Sequence, residues 1–268
     1  MTAEANATGF LLPSRAAKPR TRGLTAVIDF GPDGFGWTGE RGIADLLDCA
    51  ADYIDFAKIY AMNALLLPED VVRRIVRLYR DAGITCYSGG ILFEFAYERG
   101  EIDAFVAHLR KIGLDTLEIS ENYVTLADAE RRAFIERFKA CGLNVIYEFG
   151  RKDPLHPLEL GELGSIVDGV VQCGVEHVIV EQSEIDLVVA SAPDRLTALA
   201  ATSWFKHILI EADPYRFPKQ HVDLLKMFGT DVNLANVAAG QALRLEGLRR
   251  GIGRAVGYSL LRSEGRTR

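Results

Sequence analysis

No run of apolar residues in this 268-residue chain approaches the roughly 20 residues that a membrane-spanning helix requires. The basic residues near the N-terminus follow the apolar patch Gly9–Leu12, which reverses the order found in a secretory signal. The formal net charge is −6, so the chain lacks the excess of cations that favours non-specific binding to nucleic acid or to an anionic membrane. We therefore expect a cytoplasmic protein with no nucleic-acid partner and no membrane partner.

Cysteine is scarce as well, and the four cysteines show no Cys-x-x-Cys spacing. Cys49, Cys141 and Cys173 lie near predicted helix ends and Cys86 lies in a predicted strand, which favours buried free thiols over a metal site. The sequence also lacks a His-Glu-x-x-His motif and the spacing of a Ser–His–Asp triad. Two histidines that follow predicted strands, His156 and His221, are left open as site residues.

What the sequence does contain is a regular alternation of short apolar strands and helices. Four of the strands arrive at a glutamate, and these glutamates fall 30, 33 and 30 residues apart, about the length of one strand–helix unit: Glu118, Glu148, Glu181 and Glu211. Eight predicted strands alternating with eight helices indicate an α/β protein, a single-domain (β/α)8 TIM barrel. A doubly wound open sheet is the alternative, but no glycine fingerprint at a switch point supports it.

The predicted boundaries follow from these apolar periodicities and from flanking glycine and proline. A barrel domain is expected over residues 24–252, after a flexible arm at 1–23 and before a charged tail at 253–268. The glycine-rich loop Gly31–Gly39 is expected to be a flexible loop, with phosphate binding as the less favoured interpretation. The predicted strands are Thr25–Phe30, Tyr53–Ile59, Ile84–Ser88, Thr116–Ser120, Asn144–Phe149, His177–Glu181, His207–Glu211 and Asp231–Leu234.

Barrel strands run parallel, so the residues at their C-terminal ends meet at one rim. Carboxylates that converge there repel one another, and they are tolerated only if cations compensate them or if some are protonated. A cluster rich in oxygen and poor in histidine or thiol suits Mg²⁺ better than zinc. The alternative is a structural network in which the glutamates pair with the neighbouring cations. The residues expected at the rim are Lys58, Glu94, Glu118, Glu148, Arg151, Lys152, Glu181, Glu211 and Asn233.

The stretch Asn144–Asp153 carries the most specific signal, because an apolar strand there ends in Glu148, a glycine and two cations. An ammonium beside a carboxylate cluster stays protonated, and it can hold an anion or deliver a proton to a developing carbanion. We expect Lys152 to have this role and Lys58 to be able to share it from across the barrel. A Lys152 side chain that simply extends into solvent is the other interpretation.

Seven stretches, spread over nearly the whole chain, together form a specific pattern. They are RGLTAVIDFG (Arg22–Gly31), ADYIDFAKI (Ala51–Ile59), SGGILFEFAYERG (Ser88–Gly100), LEIS (Leu117–Ser120), EFGRKD (Glu148–Asp153), VNLANV (Val232–Val237) and LEGLRRGI (Leu245–Ile252). In this order they resemble the phosphosulfolactate synthase family. The resemblance implies a TIM barrel and the Mg²⁺-dependent addition of sulfite to phosphoenolpyruvate, so that the partner is a small anionic or carboxylate substrate.

The resemblance also assigns roles to individual residues. The general acid at the enolpyruvyl carbon would be Lys152, with Lys58 and Glu148 as further catalytic residues. Mg²⁺ would be held by Glu118, Glu148 and Glu181. We expect the substrate to be bound by Arg151, Asp29, Asn233, Glu211 and Tyr60.

The chain departs from the family pattern after three of its strands. The family's Gly-Trp-Gly-Thr-Ser is replaced by Tyr60–Ala64, and its Gly-Arg-Glu-Ser-Gly by Gln182–Asp186, which has no arginine. The family's Glu-Ala-Pro-x-Lys becomes Glu211–Tyr215. Because glycines and cations suited to anions are lost, these changes favour a substrate that carries less charge than phosphoenolpyruvate and sulfite.

We therefore predict a phosphosulfolactate-synthase-like lyase that acts on a small carboxylate or enolate with Mg²⁺, with an altered specificity suited to specialised metabolism. An authentic phosphosulfolactate synthase is the first alternative. A non-catalytic, stress-associated barrel, like the plant homologues of the family, is the second. A homo-oligomer is a further expectation, to which no particular residue points.

Overall fold

A computed structural model describes residues 3–5, 11–31 and 39–256 of the chain. Eight of its strands pair in parallel and close into a barrel in which the first and the last strand are neighbours, which confirms the predicted (β/α)8 fold. Two short strands near the N-terminus form a separate antiparallel pair. The strands are β1 (Ala3–Ala5), β2 (Leu11–Pro13), β3 (Thr25–Asp29), β4 (Phe56–Ile59), β5 (Thr85–Ser88), β6 (Thr116–Ser120), β7 (Asn144–Phe149), β8 (Val178–Val180), β9 (Ile208–Glu211) and β10 (Leu234–Ala238).

Helices surround the barrel, and three of them begin directly at the ends of barrel strands, where the sequence analysis predicts none. The helices are α1 (Glu40–Ala50), α2 (Ala61–Leu66), α3 (Glu69–Asp81), α4 (Gly90–Glu98), α5 (Ile102–Ile112), α6 (Asp128–Ala140), α7 (Leu160–Gln172), α8 (Gln182–Ser191), α9 (Asp194–Ala200), α10 (Lys219–Phe228) and α11 (Ala242–Arg249). The three that were not predicted are α2, α4 and α8. In α4 the apolar residues do not form one stripe, because Leu92 and Phe93 are buried while Phe95 is exposed. A helix of this kind gives a weak periodic signal.

The hydrophobic core has two parts, one between the strands and the helices and one inside the barrel. Side chains alternate between the two faces of a strand, so the residue two positions after an inward-pointing residue also points inward. Glutamates therefore follow inward-pointing apolar residues on β7, β8 and β9. The interior set consists of strand residues alone: Ala26, Tyr87, Ile146, Ile179, Leu209 and Ala235.

The eighth barrel strand differs from its prediction, since it spans Leu234–Ala238 and not Asp231–Leu234. The Asn233 side chain connects the N-terminal ends of β3 and β9, the two strands that flank β10. Its Oδ1 accepts a hydrogen bond from the Leu24 N–H at 3.0 Å, and its Nδ2 donates to the Ile208 carbonyl at 3.1 Å. Bonding to main-chain groups outside the ladder keeps this residue out of the strand.

The segment before β3 is joined to the barrel by ion pairs. Arg15 lies 2.8 Å from Asp231, and Arg20 lies 2.8 Å from Asp55. The flexibility and the domain boundaries predicted for the two ends of the chain stay predictions. Most of the Gly31–Gly39 loop and of the predicted tail lies outside the described residues.

All four cysteines are free thiols, but the prediction that they are buried is confirmed only for Cys86. Cys49 is exposed, and Cys141 and Cys173 are partly buried. None of the helices in the described ranges is long and apolar enough to cross a membrane.

Candidate active site

Lys58, on β4, is buried at the C-terminal end of the barrel between two carboxylates. Its Nζ atom lies 2.9 Å from Glu118 Oε2 and 3.2 Å from Glu148 Oε2, and the residue is 5% exposed. Burial lowers the pKa of Lys58, but Glu118 and Glu148 raise it more, so that the net shift is upward and the side chain is an ammonium at neutral pH. Lys58 is thus fixed by the carboxylates that it neutralises.

Lys152 follows β7 and reaches back over the ends of the strands. Its Nζ atom contacts the Glu181 carboxylate and lies 3.8 Å from Glu211 Oε1 and 4.0 Å from Glu148 Oε1. Burial lowers the pKa of Lys152, but Glu211, Glu148 and Glu181 raise it more, and it too is protonated at neutral pH. The Lys152 side chain is 32% exposed, against 6% for Lys58. It is therefore the cation that a molecule entering from solvent meets first.

Three carboxylates around Lys152 form a group that we call the acid triad: Glu148, Glu181 and Glu211. Each offers an oxygen, and these oxygens lie within 4.8 Å of one another. Burial raises the pKa of Glu211 well above its usual range, and repulsion from Glu148 and Glu181 raises it further. Burial also raises the pKa of Glu181. For Glu148 burial acts in the same direction, but Lys58 and Lys152 lower the pKa more.

Glu118 lies outside the acid triad, although the sequence analysis assigns it to the metal ligands. One of its oxygens pairs with Lys58, and the other accepts a hydrogen bond from the Gly90 N–H at 2.7 Å. A Cβ atom at Gly90 would lie 2.9 Å from that Glu118 oxygen, so glycine is required for this close approach. Of the predicted metal ligands, Glu148 and Glu181 thus lie together in the acid triad, and Glu118 does not.

A cavity of about 380 Å³, here called the mouth cavity, opens above these groups. Of the predicted residues, Lys58, Glu118, Glu148, Lys152, Glu211 and Tyr60 line it. Aromatic residues line it as well, and the ring centroids of Phe30 and Tyr60 lie 5.7 Å apart. The remaining polar and aromatic lining residues are Asn122, Tyr123, Gln182, Asp213, Tyr215 and Asn236.

A larger cavity of about 730 Å³ lies beside the Gly150–Asp153 segment, outside the barrel. It is lined by Arg151, Asp153 and His156, but by neither lysine and by no member of the acid triad. The two lysines and three strand-end glutamates, Glu118, Glu148 and Glu211, line the mouth cavity, and Glu181 contacts Lys152 beside it. The smaller cavity is therefore the candidate active site.

The structure corrects the position of three predicted substrate-binding residues. Asp29 is buried but does not line the mouth cavity, because its carboxylate accepts hydrogen bonds from the Gly31 N–H at 2.9 Å and from the Tyr79 hydroxyl at 3.3 Å. Arg151 lines the larger cavity, where its guanidinium donates to the Thr125 hydroxyl. Asn233 lies at the opposite end of the barrel, as described above.

Glu94, predicted at the rim, anchors the segment after β6 rather than lining the cavity. Its carboxylate accepts hydrogen bonds from the N–H groups of Asn122, Tyr123 and Val124 at 3.0, 2.9 and 3.2 Å, and from the Ser120 hydroxyl. Because Asn122 and Tyr123 line the mouth cavity, Glu94 shapes the site through the main chain.

Sequence reasoning missed Asn236, which lines the mouth cavity from β10. It also missed Asn122, which donates from Nδ2 to the Gly150 carbonyl at 3.0 Å and so ties the segment after β6 to the segment after β7. A signal for Asn236 was available in the VNLANV stretch, where the strand was assigned to the wrong half of the motif.

Comparison with known proteins identifies the family. The model of the family described as (2R)-phospho-3-sulfolactate synthase (ComA) matches residues 13–254. The phosphosulfolactate synthase of Methanocaldococcus jannaschii is 33% identical over 241 residues, which cover 86% of this chain and 92% of the relative. The phosphosulfolactate synthase of Bacillus subtilis is 30% identical over 249 residues, with coverages of 90% and 94%.

Among solved structures, CdNal from Clostridium difficile in complex with mannosamine superposes with a TM-score of 0.50 at 14% identity. That match covers 84% of this chain and 74% of the other, and it supports the barrel fold alone. The family is shown by the match over residues 13–254 and by the relatives. This chain belongs to the (2R)-phospho-3-sulfolactate synthase (ComA) family and is a lyase-type enzyme.

Proposed function

We propose that this enzyme adds a nucleophile across the double bond of a small enol carboxylate, or eliminates it in reverse, with Mg²⁺ assistance. A proton joins or leaves the carbon next to the carboxylate while the nucleophile joins or leaves the other carbon of the double bond. The observation that carries the proposal is the convergence of Lys152 and the acid triad beside a cavity that solvent can enter. A protonated, partly exposed ammonium can deliver a proton to a carbanion that forms within its reach.

The acid triad is a suitable site for Mg²⁺. All of its donors are carboxylate oxygens, which hard divalent cations prefer. In addition, Glu211 Oε2 is buried and has no hydrogen-bond partner in the described part of the chain, so an acceptor is left over for a ligand. Bound Mg²⁺ would stabilise negative charge on a substrate oxygen. Glu148, Glu181 and Glu211 are the residues that would hold it.

The chain's own residues supply the remaining steps. Lys58, held by Glu118 and Glu148, places a fixed positive charge at the floor of the cavity, where it attracts the carboxylate end of the substrate. Lys152 holds the proton that is transferred to or from the neighbouring carbon. The rings of Phe30 and Tyr60, which line the cavity, limit the access of water.

We further propose that the substrate carries less charge than the phosphoenolpyruvate and sulfite pair. Lys58 and Lys152 are the only cations among the described residues that line the mouth cavity, and both already contact glutamates. Four acids line the same cavity: Glu118, Glu148, Glu211 and Asp213. Each missing charge-assisted contact to an anion costs about 1.5–3 kcal/mol of binding free energy.

An authentic phosphosulfolactate synthase is the second candidate. It is favoured by relatives of that name, which are 30–33% identical over 86% or more of this chain. The paired Glu148 and Lys152 are compatible with it as well. Cytoplasmic location and homo-oligomeric assembly remain predictions.

Mass spectrometry of the purified enzyme incubated with phosphoenolpyruvate, sulfite and Mg²⁺ separates the two candidates. We expect no sulfite adduct. Rapid formation of an adduct would establish the second candidate and overturn the proposed change of specificity.

Thermal unfolding with and without Mg²⁺ tests the metal-assisted chemistry itself. We expect Mg²⁺ to raise the melting temperature of the wild-type enzyme and to leave that of Glu148→Gln unchanged. The exposed residue Glu136 on α6 provides the matched control, and Glu136→Gln should respond as the wild type does. An absent Mg²⁺ response in the wild type would contradict the proposal.

A further inference from the structure

Asn236 differs from the other residues around the mouth cavity in its backbone conformation. Its φ angle is 54°, in the left-handed region that residues other than glycine and asparagine avoid. The pairing of β10 with β3 shifts in register between Leu234 and Val237, so Asn236 lies within an irregularity of the barrel wall. Such conformations cost free energy and recur at binding sites, where they aim a side chain.

The Asn236 side chain has an unsatisfied acceptor. Its Oδ1 atom is buried and has no hydrogen-bond partner among the described residues, yet the residue lines the mouth cavity. A buried acceptor without a partner costs free energy, which a ligand that donates a hydrogen bond here would recover.

The surroundings of Asn236 define the chemistry of that ligand. On β3 and in the segment after it, the neighbouring wall of the cavity consists of Ile28 and Phe30, which are apolar. On β9 it contains Glu211, whose Cα atom is paired with that of Ala235. The two cations that line the cavity among the described residues, Lys58 and Lys152, both contact glutamates. The Glu211 carboxylate would repel the negative charge of a phosphate or sulfonate group here. An uncharged donor would not be repelled in this way.

We propose that Asn236 binds a hydroxyl group of the substrate, which makes the substrate a hydroxy-substituted carboxylic acid. This inference rests on the proposed function, which places the carboxylate of the substrate at Lys58 and the acid triad. The hydroxyl group then lies against the wall formed by β10, where Asn236 Oδ1 accepts its hydrogen. The amide selects the substrate and takes no part in proton transfer.

Calorimetric titration in the presence of Mg²⁺ tests this assignment with four probes: propionate, lactate, 3-hydroxypropionate and phosphoenolpyruvate. Either lactate or 3-hydroxypropionate should bind about tenfold more tightly than propionate. A tenfold difference corresponds to about 1.4 kcal/mol, which is the contribution of one hydrogen bond. Phosphoenolpyruvate should bind no more tightly than that hydroxy acid.

Two variants of Asn236 make the test specific. Asn236→Gly removes the amide while tolerating the left-handed backbone. In this variant the hydroxy acid should bind no more tightly than propionate. Asn236→Asp keeps an acceptor oxygen and should retain the preference. Ala255→Gly is the matched backbone control, because Ala255 has a φ angle of 76° and lies away from the mouth cavity. It should bind all four probes as the wild type does.

The outcomes separate the inference from the proposed function. Binding of carboxylates without a preference for the hydroxyl group would overturn the inference alone, as would a preference that survives in Asn236→Gly or is lost in Asn236→Asp. Tighter binding of phosphoenolpyruvate than of either hydroxy acid would also overturn it. If no probe binds in a Mg²⁺-dependent manner, the proposed function fails and the inference fails with it.

Discussion

Glu118 and Glu211 both line the mouth cavity, but only Glu211 belongs to the acid triad. Their substitution therefore distinguishes the proposed ligand set, the acid triad, from the set predicted from the sequence, which includes Glu118. A cation present at about a hundred times its dissociation constant stabilises a protein by about 2.7 kcal/mol. We expect Glu211→Gln to lose most of this Mg²⁺-dependent gain in unfolding free energy and Glu118→Gln to keep it.

Urea unfolding with and without Mg²⁺ measures this gain within each variant, so that a general loss of stability from breaking the Lys58–Glu118 pair cancels. The reverse result, with Glu118→Gln insensitive to Mg²⁺ and Glu211→Gln responsive, would restore the ligand set predicted from the sequence.

His221 on α10 predicts an acid-sensitive core. The ring is fully buried, neither nitrogen has a hydrogen-bond partner in the described part of the chain, and the Phe217 ring packs against it at 4.8 Å. Burial, with a smaller contribution from Arg249, lowers the pKa of His221 to about 4. In the unfolded chain the value is about 6.5. Stability is therefore complete above pH ~6.5 and is lost as the pH falls towards ~4, because the unfolded state binds the proton first.

The loss attributable to His221 is about 2 kcal/mol at pH ~5. In His221→Leu the difference in unfolding free energy between pH ~7 and pH ~5 should shrink by this amount, measured by urea titration at both values. The exposed histidine His156 serves as the control, and His156→Leu should leave the difference unchanged. An unaltered difference in His221→Leu would contradict the prediction.

At the scale of single elements, the segment after β6 depends on one carboxylate from α4. Both oxygens of Glu94 accept hydrogen bonds from main-chain N–H groups of residues 122–124. In Glu94→Gln the side-chain NH₂ group would face at least one of these donors, and the charge that strengthens the other bonds would be lost, which we expect to lower the unfolding free energy by about 2–4 kcal/mol. The exposed neighbour Glu98 provides the control, since Glu98→Gln should cost less than about 0.5 kcal/mol.

The same substitution should also weaken substrate binding, because Asn122 and Tyr123 lose their fixed position at the mouth cavity. Urea unfolding and steady-state kinetics of the two variants check both effects. Equal stability of Glu94→Gln and Glu98→Gln would show that the segment is held by other contacts.

Elements were predictable where one periodicity dominated. Val-Ile-Val before Glu181 and Ile-Leu-Ile before Glu211 are apolar enough that the strand and the place of the acid follow together. The strand at Leu234–Ala238 was not predictable in this way, because two alanines and an asparagine are poor strand formers. Its pairing with β3 and β9 comes from barrel closure, which local sequence does not encode.

Across the whole molecule, the sequence predicted which side chains meet but not which of them pair. Strand direction brings Lys58, Lys152 and the glutamates to one end, and a rule of topology is sufficient for that. The exclusion of Glu118 from the acid triad depends on its 2.7 Å contact with the Gly90 N–H, and the position of Asn236 depends on a shift in strand register. Both features depend on atomic positions to within about 1 Å, and neither residue spacing nor composition determines positions that closely.

Arg249 lies at the N-terminal end of the strands, where the first and the last barrel strand close the barrel. This residue is 2% exposed, and its guanidinium donates to the carbonyls of Thr230, Val232 and Leu24, so it clamps the entries to the first and last barrel strands. Arg249→Met would remove three hydrogen bonds, although the Leu24 carbonyl keeps the Leu234 N–H and the Thr230 carbonyl keeps Arg15. It should lower the unfolding free energy by about 2–3 kcal/mol. Arg250→Met, which removes a partly buried pair with Glu246, should cost about 1 kcal/mol or less. Urea unfolding followed by circular dichroism measures both, and similar losses in the two variants would show that Arg249 does not hold the barrel closed.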